Sequence, residues 1–121
     1  MPARTVGRIT RRAAFAELQR SRARGASGPV RVTFVQADPG DPGVFPQVGY
    51  AIGRHCGNAV VRNSLRRRAR AVVHDAAPTL ARGTYLVRLE PAAAQLAPGV
   101  FRHDVETALR KAGRDRSRVS A

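Results

Sequence analysis

Apolar and polar positions alternate over residues 30–37, where Val30, Val32 and Phe34 share one side and Arg31, Thr33 and Val35 the other, the period of a half-buried strand. A second alternating run, residues 44–53, sets Val48, Tyr50 and Ile52 against Gly49, Ala51 and Gly53, with Pro46 marking an irregular or edge start. A third, residues 84–90, places Tyr85, Val87 and Leu89 on one face and is stopped by Pro91. Helical spacing governs the segments between. Thr10 can cap a first helix running to about Arg20, with Ala14, Phe15 and Leu18 as its apolar stripe. Asn58 is the N-cap of the strongest helix, which Pro78 ends. At about 100° per residue, Val61, Leu65, Ala69, Val72 and Ala76 fall on one arc of this helix. Arg62, Asn63, Arg66, Arg67, Arg70 and His74 fall on the other, and Arg68 lies at the boundary, able to snorkel. The last helix, residues 100–112, carries Phe101, Val105, Ala108, Leu109 and Ala112 inward, and Gly113 closes it.

Between these elements, residues 24–29 break the first helix and lead into the first strand. Asp38-Pro39-Gly40-Asp41-Pro42-Gly43 is a tandem turn, and residues 92–96 form a helical turn. The predicted order is α-β-β-α-β-α. A chain of 121 residues with 43% hydrophobic positions supports one core, so residues 1–121 read as a single α+β domain with frayed ends at about 1–8 and 114–121.

Charge changes the picture. There are 22 Lys+Arg against 8 Asp+Glu, a formal net charge of +14, and Lys111 is the only lysine. Arginine's planar fork suits bidentate grip on phosphate. No acid occurs between Glu17 and Asp38 or between Asp41 and Asp75, so the arginines there face a polyanion rather than each other. A merely solvated helix would alternate Glu with Arg at i,i+4 for a few tenths of a kcal/mol per pair, whereas Arg62, Arg66 and Arg70 stack like charges.

Candidate chemistry is sparse. Cys56 is the single cysteine, which excludes an internal disulfide and a cysteine-built zinc site. No apolar run is long enough to span a bilayer, and a reducing, cytoplasmic setting is expected. His55 and Cys56 are sequence neighbours with no acid nearby to orient the histidine, so they do not read as a nucleophile pair. His74 and His103 have no partner at metal-ligand spacing. The carboxylates are too scattered for a two-metal nuclease centre.

The run Gly57-Asn58-Ala59-Val60-Val61-Arg62-Asn63-Ser64-Leu65-Arg66-Arg67-Arg68-Ala69-Arg70 resembles the signature of the bacterial ribonuclease P protein component. Phe15, the run Val48-Gly49-Tyr50-Ala51-Ile52 and the run Gly83-Thr84-Tyr85-Leu86-Val87-Arg88 extend the resemblance over nearly the whole chain. The family's Arg-Asn-Arg triplet is met at Arg62 and Asn63 and departs at Ser64. The resemblance implies an α-β sandwich like the second domain of ribosomal protein S5, with a left-handed strand-helix-strand crossover. It also implies that Arg54, His55, Asn58, Arg62, Asn63, Arg66, Arg67 and Arg70 grip the catalytic RNA. Phe15, with Gln19 where the family has a second aromatic, would receive the single-stranded 5′ leader of precursor tRNA, and Val32 and Phe34 would complete that cleft. An ordinary core role for Phe15 and Phe34 is the alternative.

The implied function is that of an accessory subunit of an endoribonuclease that removes the leader and generates the mature tRNA 5′ end. No side chain of the protein is catalytic, no metal or cofactor is bound by the protein alone, and magnesium ions held by the RNA carry the chemistry. The implied partners are ribonuclease P RNA, one protein per RNA, and precursor tRNA, without a membrane. A structural rRNA-binding or ribosomal protein is the competing reading, told apart by Phe15 and the 58–70 signature. A helix-turn-helix regulator is disfavoured because the basic helix follows a strand.

Overall fold

The structure, a computed structural model, describes residues 6–9 and 12–114; Thr10, the expected helix cap, and the residues after 114 lie outside the described residues. The elements are α1 (Arg12–Arg20), β1 (Ala23–Ser27), β2 (Val30–Gln36), β3 (Gln47–Ile52), α2 (Ala59–Ala76), β4 (Gly83–Leu89) and α3 (Pro98–Arg114). Four strands form one sheet in the order β1-β2-β4-β3. The β1-β2 and β2-β4 pairs are antiparallel, and β3 lies parallel to β4 across the α2 crossover. The predicted α+β class therefore holds, with one strand more than the hydrophobic pattern announced.

That extra strand is β1. Its sequence, Ala23-Arg24-Gly25-Ala26-Ser27, has no β-branched or aromatic residue, so propensity argues against a strand. Two local features make it one. Gly28 takes φ +55° at the first position of the two-residue Gly28-Pro29 loop, the sign a tight hairpin needs there. Gly25 then lets α3 approach the strand at backbone distance: a Cβ on it would lie 2.4 Å from the Ala108 carbonyl oxygen and 2.6 Å from the Ala112 nitrogen. Buried Asp104 of α3 secures the hairpin by accepting a hydrogen bond from Ser27 Oγ at 2.7 Å. Three further boundaries also shift. β3 begins at Gln47 rather than at residue 44, after Pro46, and α3 starts at Pro98 and continues through Gly113 to Arg114, with Gly113 buried inside it.

Strand register decides the two faces of the sheet. Val32 and Phe34 lie opposite Val87 and Tyr85, which in turn neighbour Tyr50 and Val48. This face meets Leu65, Ala69, Val72, Val73 and Ala76 of α2, and Phe101, Val105, Ala108, Leu109 and Ala112 of α3, in one core. Its inward set on α2 is the predicted arc with Val73 added and Val61 half-buried. The opposite face carries Thr33, Val35, Leu86 and Gly49, all half-buried. It receives α1, whose Ala14 and Leu18 are buried apart from the main core.

Residues 6–9, partly within the stretch expected to fray, extend the sheet. The Gly7 amide donates to the Pro46 carbonyl at 2.7 Å, and the Gly7 carbonyl accepts from the Val48 amide at 3.0 Å. Ile9 reaches over Gly49 towards Leu86. The loop that supplies Pro46 is held by Arg82, whose guanidinium lies 4.4 Å from the Phe45 ring centroid and donates to the carbonyls of Asp38, at 3.3 Å, and Asp41.

The contact between Gly25 and the α3 backbone sets an expectation. Gly25→Ala forces helix and strand apart and lowers folding stability by about 1 to 3 kcal/mol, the usual cost of overpacking. Chemical unfolding of both proteins measures it, and an unchanged midpoint means the contact has slack.

Candidate nucleic-acid interface

Asn58 opens α2 as predicted: its side chain accepts from the Val61 amide at 3.0 Å, with extended backbone at the cap. That bond engages its oxygen and leaves only the side-chain amide as a donor. Arg54 and His55 are exposed on the short 3-10 turn just before the cap. Arg62, Arg66, Arg70 and His74 then follow at i,i+4 spacing along one side of α2, with Asn63 and Arg67 exposed beside them. Asn63 Oδ1 accepts from Arg66 Nη1 at 3.1 Å, which orients that guanidinium.

These cations have no carboxylate partners. Among the described residues the ion pairs are Arg31 with Glu90, and Arg102 with Asp75 and Glu106, so no arginine of α2 is neutralised. Arg62 Nε is buried without an acceptor among the described residues. Stacked like charges on a helix repel by a few tenths of a kcal/mol per pair, and no internal carboxylate among the described residues relieves this column. Arg68, by contrast, leaves this face. It packs 4.4 Å over the Phe101 ring and donates to the Leu96 carbonyl, so instead of snorkelling towards the basic side its guanidinium is held against α3 and the turn before it. Ser64 also turns away, towards Cys56, Ala94 and Gln95, so the departure from the triplet removes no charge from the Arg62 column.

The upper part of that column borders a cleft of about 590 Å³. Residues 6–9 and Phe15 form one wall, Val48, Gly49 and Tyr50 of β3 the floor, and Arg66, Arg70 and His74 the other wall. Phe15 is 45% exposed, so its ring face is open for stacking. The sequence treated the basic helix and the aromatic as separate sites; folding brings Arg66 and Arg70 to the same cleft as Phe15.

Three expected cleft residues are placed elsewhere. Val32 and Phe34 are each 1% exposed. They lie on the sheet face covered by α2 and α3, with the Phe34 and Tyr85 ring centroids 4.7 Å apart. Their alternation was read correctly but assigned to the wrong side: the residues of β2 that face α1 are Thr33 and Val35. Gln19 is exposed on α1 one turn beyond Phe15 and is not part of the cleft wall. Tyr50, not singled out as a site residue, is in the floor instead, with the Arg70 guanidinium 5.6 Å from its ring centroid. Its buried hydroxyl makes no hydrogen bond of good geometry among the described residues, and Arg70 is the polar side chain that faces it. Burial pushes its phenol up to about 12, against the pull of Arg70, so it stays protonated. A tyrosine at an alternating strand position was visible in the sequence, but nothing there distinguished it from core.

A family model described as Ribonuclease P matches residues 4–113. This chain belongs to that family. The ribonuclease P protein component of Beutenbergia cavernae is 35% identical over 98 residues, spanning 80% of this chain and 82% of that one. That of Thermobifida fusca is 34% identical over 118 residues, 93% of this chain and 80% of the relative. A ribonuclease P protein from Staphylococcus aureus shares the fold, with a TM-score of 0.70 at 20% identity over 88% of both chains. A mutant of the S. aureus protein with defective mRNA degradation activity gives 0.74 at 20% identity over 85% of both. The chain is thus the protein component of ribonuclease P, an endoribonuclease acting on tRNA precursors, and its partner is the ribonuclease P RNA. No described helix is long and apolar enough to cross a membrane.

The buried hydroxyl in the cleft floor gives a simple expectation. Tyr50→Phe removes a loss of stability between pH 10 and about 12, because a phenol held protonated by the fold favours the unfolded chain once that chain's own tyrosine ionises. Thermal unfolding at neutral and alkaline pH tests it; an alkaline loss of stability that is the same in both proteins would show that the fold does not hold the phenol protonated.

Proposed function

We propose that α2 grips the ribonuclease P RNA through Arg62, Asn63, Arg66, Arg67 and Arg70, joined at its start by Arg54, His55 and Asn58, while the adjoining cleft holds the single-stranded 5′ leader of precursor tRNA. The observation that carries this reading is the half-exposed ring of Phe15 facing, across one cleft, arginines that no carboxylate neutralises. A single strand presents alternating phosphates and base faces. Arginine forks take the phosphates, and an aromatic ring takes a base with little preference for its identity. Arg66 and Arg70 stand where RNA grip and leader cleft meet, so a bound leader is aligned relative to the RNA subunit. Leader removal gains from that alignment, because holding the scissile bond in place converts binding into effective concentration at the reacting centre.

The protein's own role is positional. The described residues include no group of three or more His, Cys, Asp or Glu side chains placed to hold a metal, and magnesium is assigned to the RNA subunit. One protein per RNA and a cytoplasmic setting complete the reading.

Salt dependence tests the grip and leader length tests the cleft. Arg62→Ala, Arg66→Ala and Arg70→Ala each weaken RNA-subunit binding and lower the slope of log affinity against log salt by up to about 0.7 to 0.9 per lost phosphate contact. Three unchanged slopes refute the grip. Phe15→Ala leaves the melting temperature of the free protein intact and costs the holoenzyme about 1 to 3 kcal/mol of affinity for long-leader substrate, with no loss for a leader of one nucleotide. Equal losses for both substrates refute the cleft.

A further inference from the structure

We infer that Tyr50 is the positioning residue for Arg70: its ring supports the guanidinium, and its hydroxyl accepts one N–H of the fork while the others close on a backbone phosphate of the ribonuclease P RNA. The inference rests on the RNA grip proposed above and adds to it a residue that lies outside α2.

The core fixes the ring. Tyr50 stands between Val48 and Ile52 on the same side of β3 and is paired with Val87 of β4. Val48, Ile52 and Val87 are buried, and the half-buried Tyr50 packs against the core to which they belong. There α2 meets β3, and the Arg70 guanidinium lies 5.6 Å from the ring centroid, within reach of a cation–π contact. A phenylalanine would serve that packing equally well. The hydroxyl asks for a different reason: it is buried, makes no hydrogen bond of good geometry among the described residues, and the polar side chain that faces it is Arg70. Burial of a hydroxyl is unfavourable unless its oxygen is used, and Arg70 is the group placed to use it.

The neighbouring arginine of the column shows the same device. Arg66 Nη1 donates to Asn63 Oδ1 at 3.1 Å, so a neutral oxygen aims its fork, and among the described residues no ion pair involves Arg66 or Arg70. Neutrality matters here. A carboxylate would hold either guanidinium bidentately and compete with phosphate for it, whereas an amide or phenol oxygen orients the cation and leaves its charge to the ligand. Burial pushes the Tyr50 phenol up to about 12, against the pull of Arg70, so the oxygen stays neutral at physiological pH. A guanidinium carries its N–H donors in one plane. A phosphate engages part of that fork, and an acceptor on another edge sets the direction of the rest. With ring and hydroxyl restricting Arg70 beforehand, less side-chain freedom is lost when RNA binds.

The test measures affinity of the full chain for the RNA subunit across a salt series, below the melting temperature of every protein compared. The proteins are wild type, Tyr50→Phe, Arg70→Ala, Arg70→Lys, and each arginine variant combined with Tyr50→Phe. Tyr50→Phe is expected to weaken the complex several-fold with the salt slope kept, since no charge is lost, whereas Arg70→Ala lowers the slope by up to about 0.9. In the Arg70→Ala background Tyr50→Phe is expected to cost nothing more. With Arg70→Lys, which keeps the charge but not the planar fork, it is expected to cost little more. Additive losses overturn the inference, because a hydroxyl that serves only packing acts whatever stands at position 70. Unchanged affinity for Tyr50→Phe overturns it too, as does a loss that appears only when long-leader precursor tRNA is added. If Arg70→Ala leaves affinity and slope as they are, the grip reading itself fails at Arg70. If Arg70→Ala weakens binding and the two losses add, the grip stands and the role of Tyr50 falls.

Discussion

Phe34 and Tyr85 meet at the centre of the sheet with ring centroids 4.7 Å apart, and the Tyr85 hydroxyl donates to the Ala81 carbonyl at 2.7 Å. Both side chains are almost completely buried, and together they settle which side of β2 and β4 faces α2 and α3. Because side chains alternate along a strand, that choice propagates to every other residue of the sheet. Val32, Val87 and Leu89 follow the aromatics into the core. Thr33, Leu86, Arg31 and Arg88 are turned to the α1 side. A one-residue slip in either strand would bury its arginine and expose its aromatic, so the same contact that stabilises the core also keeps Arg31 and Arg88 at the surface.

The second constraint is electrostatic. α2 serves two partners with opposite demands: its apolar arc is closed against the sheet and α3, while its other side accumulates Arg62, Arg66, Arg67 and Arg70 without a carboxylate among them. The carboxylates that do form ion pairs lie elsewhere, with Asp75 and Glu106 on Arg102 of α3 and Glu90 on Arg31. Internal neutralisation would stabilise the free protein slightly and compete with phosphate for the same guanidinium groups. The fold instead tolerates a weak repulsion along α2, and a net charge of +14 raises the rate of encounter with a polyanion.

Small residues place the remaining parts. Gly25 admits the α3 backbone against β1, and Gly49 leaves room for Ile9 over the sheet. Gly7 bonds to Pro46 and Val48, which lays residues 6–9 along the edge of β3 as a wall of the cleft. Arg82 holds the loop that presents Pro46.

Local periodicity was enough for the three helices, for β2 and β4, for the Asn58 cap and for the unneutralised side of α2, because each depends on residues within a turn or two of one another. The signature within α2 and the aromatic at Phe15 pointed to the family. β1 was invisible to propensity, since Ala, Gly and Ser form a strand there only because α3 packs on them. Val32 and Phe34 were recognised as one face, yet alternation cannot say which face a helix will cover, and long-range packing put them in the core. The entry of Arg66, Arg70 and Tyr50 into the Phe15 cleft, and the juxtaposition of Arg31 with Arg88, depend on strand register across many residues of intervening chain. The sequence by itself determined which residues are apolar, cationic or aromatic and their phase within each element; only the tertiary structure decided which phases meet, because burial is a property of pairs of faces and not of one.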